Sequence, residues 1–159
     1  MALIANSAPL ISLARIAKLD LLPEAYSEIV VPAAVHQEVT RDPQLPGAKE
    51  LADAAWIQTA EVADKKAVDR LRFWLDQGES EAIVLAQSRN TALAIDERRG
   101  RRIAASMGIP TTGTVGILLA CKRLGLLNEV TPLLEDLIAE GIRLSTALYD
   151  NARILAQES

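Results

Sequence analysis

Short apolar runs alternate along this chain with stretches whose apolar residues recur every three or four positions. Ala2 to Ala5 read as a strand, and Ser7, Ala8 and Pro9 open a helix, with proline near the first helical position where its missing N–H costs nothing. Leu10, Leu13, Ala14 and Ala17 carry the helical period through Lys18. Glu28 to Val31 form a second strand, rich in valine and isoleucine, and Pro32 opens a helix through about Thr40. Asp42 to Gly47 is a loop by its prolines and glycine. A helix over 48–54 and an edge strand over 56–62 follow, and then a helix marked by Val68, Leu71 and Leu75 that ends near Gly78. The pattern continues as helix 79–89, strand 92–95, helix 98–107, strand 109–111 and helix 114–124, with closing helices over 131–141 and 147–156. Strands that alternate with helices predict an α/β fold with a central parallel sheet flanked by helices on both faces.

At 159 residues, half of them apolar, the chain suits one domain over 1–159. Its 17 basic and 21 acidic residues leave a net charge of −4, so nucleic-acid contact requires a local basic patch. Aromatic residues make up 3% of the chain, which leaves few stacking platforms. Cys121 is the only cysteine, which excludes an intrachain disulfide and a thiolate zinc site and suits a reducing cytoplasm. No secretory leader and no membrane-length apolar run is evident.

The candidate chemistry is acidic. Ala82, Ile83 and Ala86 lie three, four and seven positions after Glu79, which puts Glu79 on the core-facing stripe of its helix and makes it a site candidate. Glu81 points elsewhere and reads as a first-turn acid favoured by the helix dipole. Asp96 ends a strand expected to be central, where a buried carboxylate needs a cation or, alternatively, serves as N-cap of the next helix. Glu97 is a second ligand or an exposed first-turn glutamate. Glu38 flanks the Val35 and Val39 stripe, as ligand or solvated acid, and Asn6 stands just past the first strand, where its amide oxygen can coordinate without bringing charge.

Arg98, Arg99, Arg101 and Arg102 suit phosphate oxygens or form a solvated helix face, and Lys122 and Arg123 extend that patch or favour a helix C-terminus. Thr112-Gly113-Thr114 can hold a phosphate or water through exposed N–H groups, or Thr114 can simply cap the next helix. His36 reads as structural, and Trp56 and Trp74 as core or partner-contact residues rather than base-stacking ones. The turn Asn6-Ser7-Ala8-Pro9 lacks the glycines that a dinucleotide pyrophosphate needs.

The segments Asn6-Ser7-Ala8-Pro9-Leu10-Ile11-Ser12-Leu13-Ala14, Val31-Pro32 with Glu38, Gly78-Glu79-Ser80-Glu81-Ala82-Ile83, Ile95-Asp96-Glu97-Arg98-Arg99-Gly100-Arg101-Arg102 and Thr112-Gly113-Thr114-Val115-Gly116 occur in an order and spacing that resembles the PIN-domain family. The resemblance covers nearly the whole chain and points to the DUF3368-type branch, similar to the VapC-like toxin ribonucleases. It implies a single PIN-like domain whose acidic cleft binds Mg²⁺ or Mn²⁺ for endonucleolytic cleavage of RNA phosphodiester bonds. The family's four acidic positions fall on Asn6, Glu38, Glu79 and Asp96, with Thr112 or Thr114 at the hydroxyl position, while Glu97 is a candidate metal ligand from the residue reading alone. Glu38, Glu79 and Asp96 are thereby the catalytic candidates, and the arginines 98, 99, 101 and 102 with Thr112 and Thr114 the substrate-binding ones. A small antitoxin partner and a homodimer are implied as well. Asn6 departs from the family's acid, which leaves a non-catalytic PIN-like binding or regulatory protein as the competing reading.

Overall fold

A computed structural model describes residues 1–159. Its five strands are β1 (Ala2–Ala5), β2 (Glu28–Pro32), β3 (Ile57–Ala60), β4 (Ala92–Ala94) and β5 (Thr111–Thr112). They form one sheet in the order β3-β2-β1-β4-β5, every pair parallel. Ten helices complete the chain: α1 (Ser7–Arg15), α2 (Leu21–Ala25), α3 (Ala33–Thr40), α4 (Ala48–Asp53), α5 (Lys65–Leu71), α6 (Gln77–Arg89), α7 (Arg98–Ser106), α8 (Thr114–Arg123), α9 (Thr131–Ala139) and α10 (Thr146–Leu155). The predicted single α/β layer structure is the one observed, with Ile57–Ala60 at the sheet edge.

Strand alternation divides the core into two halves. Leu3, Ala5, Ile29, Val31 and Ala94 face the larger core with α1, α3, α8 and α9, while Ile4, Val30, Leu93 and Ile95 face the smaller one with α5, α6 and α7. The central strands are apolar at consecutive positions because both faces are covered. Ile83 and Leu118 are fully buried on opposite sides of the sheet, and truncating either to Ala costs about 2–5 kcal/mol.

The helix expected to run through Leu75 to Gly78 ends earlier, and the one expected from 79 begins earlier. α5 stops at Leu71, a turn follows, and α6 starts at Gln77 with Asp76 as its N-cap. Leu75 is buried without being helical, so its apolar character was read as helical period. Gly78 is therefore the second residue of a helix and not the end of one. A Cβ there would lie 3.1 Å from Glu38 Oε2 and 3.3 Å from Val35 Cγ2, so its small size lets α6 approach α3. α2 carried no sequence signal because five residues are too few to show a period. No helix is long and apolar enough to cross a membrane.

Candidate functional site

In a parallel sheet every strand delivers its carboxyl end to one edge, and the turns beyond that edge are where such folds hold ligands. Asn6 follows β1, Asp96 lies two residues past β4, and Gly113 follows β5. α6 must return from this edge to start β4, so its first turn, with Glu79 and Glu81, also lies here.

Asn6 is 5% exposed and its side chain does not cap α1. Its backbone N–H donates to the carbonyl of Ala94 at 2.9 Å, which fixes it beside the end of β4. Ser7, equally buried, donates its hydroxyl to Glu38 Oε2 at 2.9 Å. Glu38 is otherwise exposed on α3, so this bond aims one carboxylate oxygen at the β1 end of the edge. Ser7 thus ties Glu38 to the residue next to Asn6.

Glu79 is engaged elsewhere. Its Oε1 accepts the Asp76 N–H at 3.1 Å while Asp76 Oδ1 accepts the Glu79 N–H at 2.8 Å, a complete capping box. Partial burial raises its carboxyl above the usual range, and the charges of Asp76 and Glu97 push the same way against the favourable Asp76 N–H bond. Glu81 is half-buried and joins two helices, accepting the Ala34 N–H at 3.3 Å and the Gln77 amide at 2.5 Å. Its role is wider than the first-turn dipole effect expected for it.

Asp96 is exposed, contrary to the buried position its strand suggested. It also does not cap the next helix. Glu97 does that, its two oxygens accepting the N–H groups of Arg99 at 2.9 Å and Gly100 at 2.7 Å. Asp96 instead reaches across to α8, where Oδ1 accepts the Thr114 N–H and Oδ2 the Thr114 hydroxyl, both at 2.7 Å. Thr114 is accordingly the first helical residue, and Gly113 is the N-cap. A Cβ on Gly113 would stand 2.6 Å from Asp96 Oδ1 and 3.0 Å from Arg101 Nη1, so glycine makes room for an acid and a guanidinium side by side. Arg101 is held there by donating to the Ile95 carbonyl at 3.0 Å.

Asp96, Arg98, Arg101, Arg102, Thr112 and Thr114 line one groove of about 880 Å³. Its far wall is apolar, from Leu137, Leu144, Leu148 and Leu155, with Arg143 among them. Arg99 lies outside the groove and donates to the Trp74 carbonyl at 3.3 Å. Lys122 does not extend the basic patch, because it is committed to Glu158 and the Ala156 carbonyl. Trp74 is exposed, so it is not a core residue. Sequence reasoning missed Ser7, Asp76 and Arg143. Asp76-x-x-Glu79 was findable as a capping-box pattern; Ser7 and Arg143 have no local signature.

No three acidic, histidine or cysteine side chains converge on one point, so the edge holds no preformed anionic cage. The donor chemistry nevertheless fits a hard divalent cation. Asn6, Glu38 and Asp96 offer only oxygen or amide donors, and Mg²⁺ commonly keeps several waters while leaning on one or two carboxylates and the substrate's own phosphates. A family model described as DUF3368, a PIN domain, matches residues 2–158. No curated protein and no solved structure matches the chain.

Proposed function

The chain belongs to the PIN-domain family, and from that premise we propose that it is a divalent-metal-dependent endoribonuclease, the toxin half of a toxin–antitoxin pair acting in the cytoplasm. PIN domains typically are nucleases. The observation that carries the reading for this chain is the groove in which Asp96 meets Arg98, Arg101 and Arg102 at the carboxyl edge of the sheet. Asn6, Glu38 and Asp96 would hold Mg²⁺ or Mn²⁺, with Glu79 and Glu97 in the surrounding negative field. When bound, the cation supplies a water of lowered pKa and neutralises charge on the reacting phosphate.

The chain's own residues do the rest. Arg101, pinned against the Ile95 carbonyl, presents its fork beside Asp96 and orients a phosphate there. Arg98 and Arg102 carry the strand along the groove, with Thr112 and Thr114 at its β5 wall. Ser7 keeps Glu38 in one rotamer, so less freedom is lost when the edge closes around its ligand.

The test is cleavage of single-stranded RNA with Mg²⁺ or Mn²⁺ by the wild type and by Asp96→Asn, whose amide can still accept from the Thr114 N–H. Metal-dependent cleavage lost in the variant supports the proposal; equal activity in both, or none in either at high metal, refutes it. Asn6 and the lack of a three-acid cage favour a second reading, a PIN-like protein that binds RNA or a partner without cleaving. Calorimetric titration with Mn²⁺ separates them, since tight binding with cleavage eliminates the second. A small antitoxin and a homodimer belong to the first reading, and rescue of growth by co-expressing a small protein from the adjacent gene tests the former.

A further inference from the structure

Phe73 and Trp74 are 83% and 59% exposed, on the turn between α5 and α6. The chain has only five aromatic residues, one Phe, two Trp and two Tyr, so two of the five stand in water at adjacent positions. Neither ring is needed by the fold. Their neighbour Leu75 is the residue this turn contributes to the core. The turn is nonetheless firmly held: the Trp74 and Leu75 N–H groups both donate to the Leu71 carbonyl at 3.0 Å, Arg99 donates to the Trp74 carbonyl, and Asp76 closes the capping box of α6. Large apolar surface presented on a fixed backbone marks a binding surface.

We propose that Phe73 and Trp74 form a stacking platform for unpaired bases of single-stranded RNA. The ring centroids are 6.0 Å apart and the planes are tilted by 57°, so the rings do not cover each other's faces. The surroundings select the occupant. Arg70 and Arg72 precede the rings in sequence, and Arg98 and Arg99 begin the helix that is hydrogen-bonded to the turn, all four exposed. Of the nearby acids, Asp76 and Glu79 accept each other's N–H groups and Glu97 those at the start of α7, which leaves Asp69 of α5 as the one exposed carboxylate without a bond among four arginines. Exposed rings among arginines suit bases flanked by phosphates, whereas an apolar protein partner would leave those guanidiniums facing nothing of opposite charge.

The platform also adjoins the groove. Arg99 binds the turn while Arg98, its neighbour on α7, lines the groove with Asp96. A strand whose phosphate lies beside Asp96 can therefore place its flanking bases on the rings. This inference rests on the RNA reading of the groove, though not on cleavage.

The experiment is fluorescence anisotropy of a labelled single-stranded RNA and of its duplex, in EDTA so that nothing is cleaved, with the wild type and Trp74→Phe, Trp74→Leu, Trp74→Ala and Phe73→Ala. Both side chains are exposed, so thermal melts confirm that each variant folds. Trp74→Phe keeps affinity within a few-fold, while Trp74→Leu and Trp74→Ala weaken single-strand binding by about 5- to 150-fold, the equivalent of about 1–3 kcal/mol per stacked base. Duplex binding, in which bases are already stacked, does not change. With metal added, Trp74→Ala raises KM more than it lowers kcat.

Leu serving as well as Trp would show simple apolar docking and overturn the proposal. So would unaltered binding by Trp74→Ala, an equal loss with duplex, or no RNA binding by the wild type. A wild type that never cleaves, yet loses single-strand affinity in Trp74→Ala, keeps the platform and rejects the nuclease. Cleavage with unaffected affinity rejects the platform alone.

Discussion

Replacing Glu158 by Gln removes one charge from the tail after α10 and should loosen the far wall of the groove. Glu158 Oε1 accepts the Thr131 N–H at 2.7 Å, and Oε2 accepts the Val130 N–H and the Lys122 ammonium, each at 2.8 Å. One carboxylate thereby joins the end of α8, the start of α9 and the tail. Thr131 is the first residue of α9, whose N-cap, Val130, has no side-chain acceptor, so Glu158 supplies the anion that this helix start lacks. The side chain is 11% exposed. Burial pushes its carboxyl up, but Lys122, Thr131 and Val130 together outweigh burial and hold it at about 2, against an ordinary 4.5.

A drop of that size corresponds to about 3 kcal/mol at full strength, and partial solvent screening reduces it to about 2 kcal/mol. The sign follows from the depressed value. The stabilisation is present above the unfolded carboxyl's titration near 4.5 and is lost as pH falls toward 2. Urea denaturation of wild type and Glu158→Gln across pH should therefore show a gap of about 2 kcal/mol at pH 7 that closes in acid. Curves that stay parallel from neutral to acid pH, or that diverge as pH falls, would refute the assignment. Because Leu148, Asn151 and Leu155 of α10 line the groove, the variant should also bind single-stranded RNA less tightly at neutral pH.

Gly113→Ala should destabilise the domain by about 1–3 kcal/mol and abolish cleavage, because its backbone suits any residue while the new methyl group would sit 2.6 Å from Asp96 Oδ1; a thermal melt with a cleavage assay checks both. Asp76→Ala should cost about 1 kcal/mol through the lost cap of α6, with Asp76→Asn close to wild type, read as a urea midpoint shift at constant slope. Asn6→Asp should lower the melting temperature without metal, by burying an uncompensated carboxylate, and show a larger Mn²⁺-induced rise than the wild type; equal rises would show that Asn6 does not touch the cation.

The fold was legible because α/β architecture writes itself in periods. The consecutive apolar positions of β1, β2 and β4 announce strands covered on both faces, and Leu10, Leu13 and Ala14 enter the core as their spacing predicts, whereas Ala17 lies past the end of α1, exposed and at φ 57°. Boundaries failed where a buried residue sat outside an element, as Leu75 does between α5 and α6. The candidate residues were legible in position along the sheet and less so in partnership. Chain order places Asn6 and Asp96 at the same sheet edge, but nothing local says that Asp96 will hold Thr114, eighteen residues on, or that Ser7 will hold Glu38, thirty-one residues on; only the Asp76–Glu79 capping box is local. A carboxylate's partner depends on which donor the fold carries past it, which is long-range information. The aromatic turn was legible only as a pair of alternatives: by type Trp74 reads as core or partner contact, and the tertiary structure, which turns Leu75 inward in its place, removes the first.

Asn6 and Arg101 act on the same electrostatic quantity from opposite directions. An amide at the end of β1 removes one negative charge from the edge, and a guanidinium beside Asp96 adds one positive charge. Both reduce the field that would otherwise draw a divalent cation into the empty cleft, since affinity for hard cations follows the number and charge of oxygen ligands. Both also leave room for the charge of a phosphate. On the reading proposed above, cation and RNA therefore bind with positive coupling, each supplying the charge the other needs, and the linkage is reciprocal. Mn²⁺ should lower the Kd for single-stranded RNA in a variant that cannot cleave, and RNA should lower the Kd for Mn²⁺ by the same factor. Arg101→Ala should separate the two effects, strengthening Mn²⁺ binding in the absence of RNA while weakening RNA binding in the absence of metal. A loss of both would mean that Arg101 acts only by holding Ile95 and the end of β4 in place.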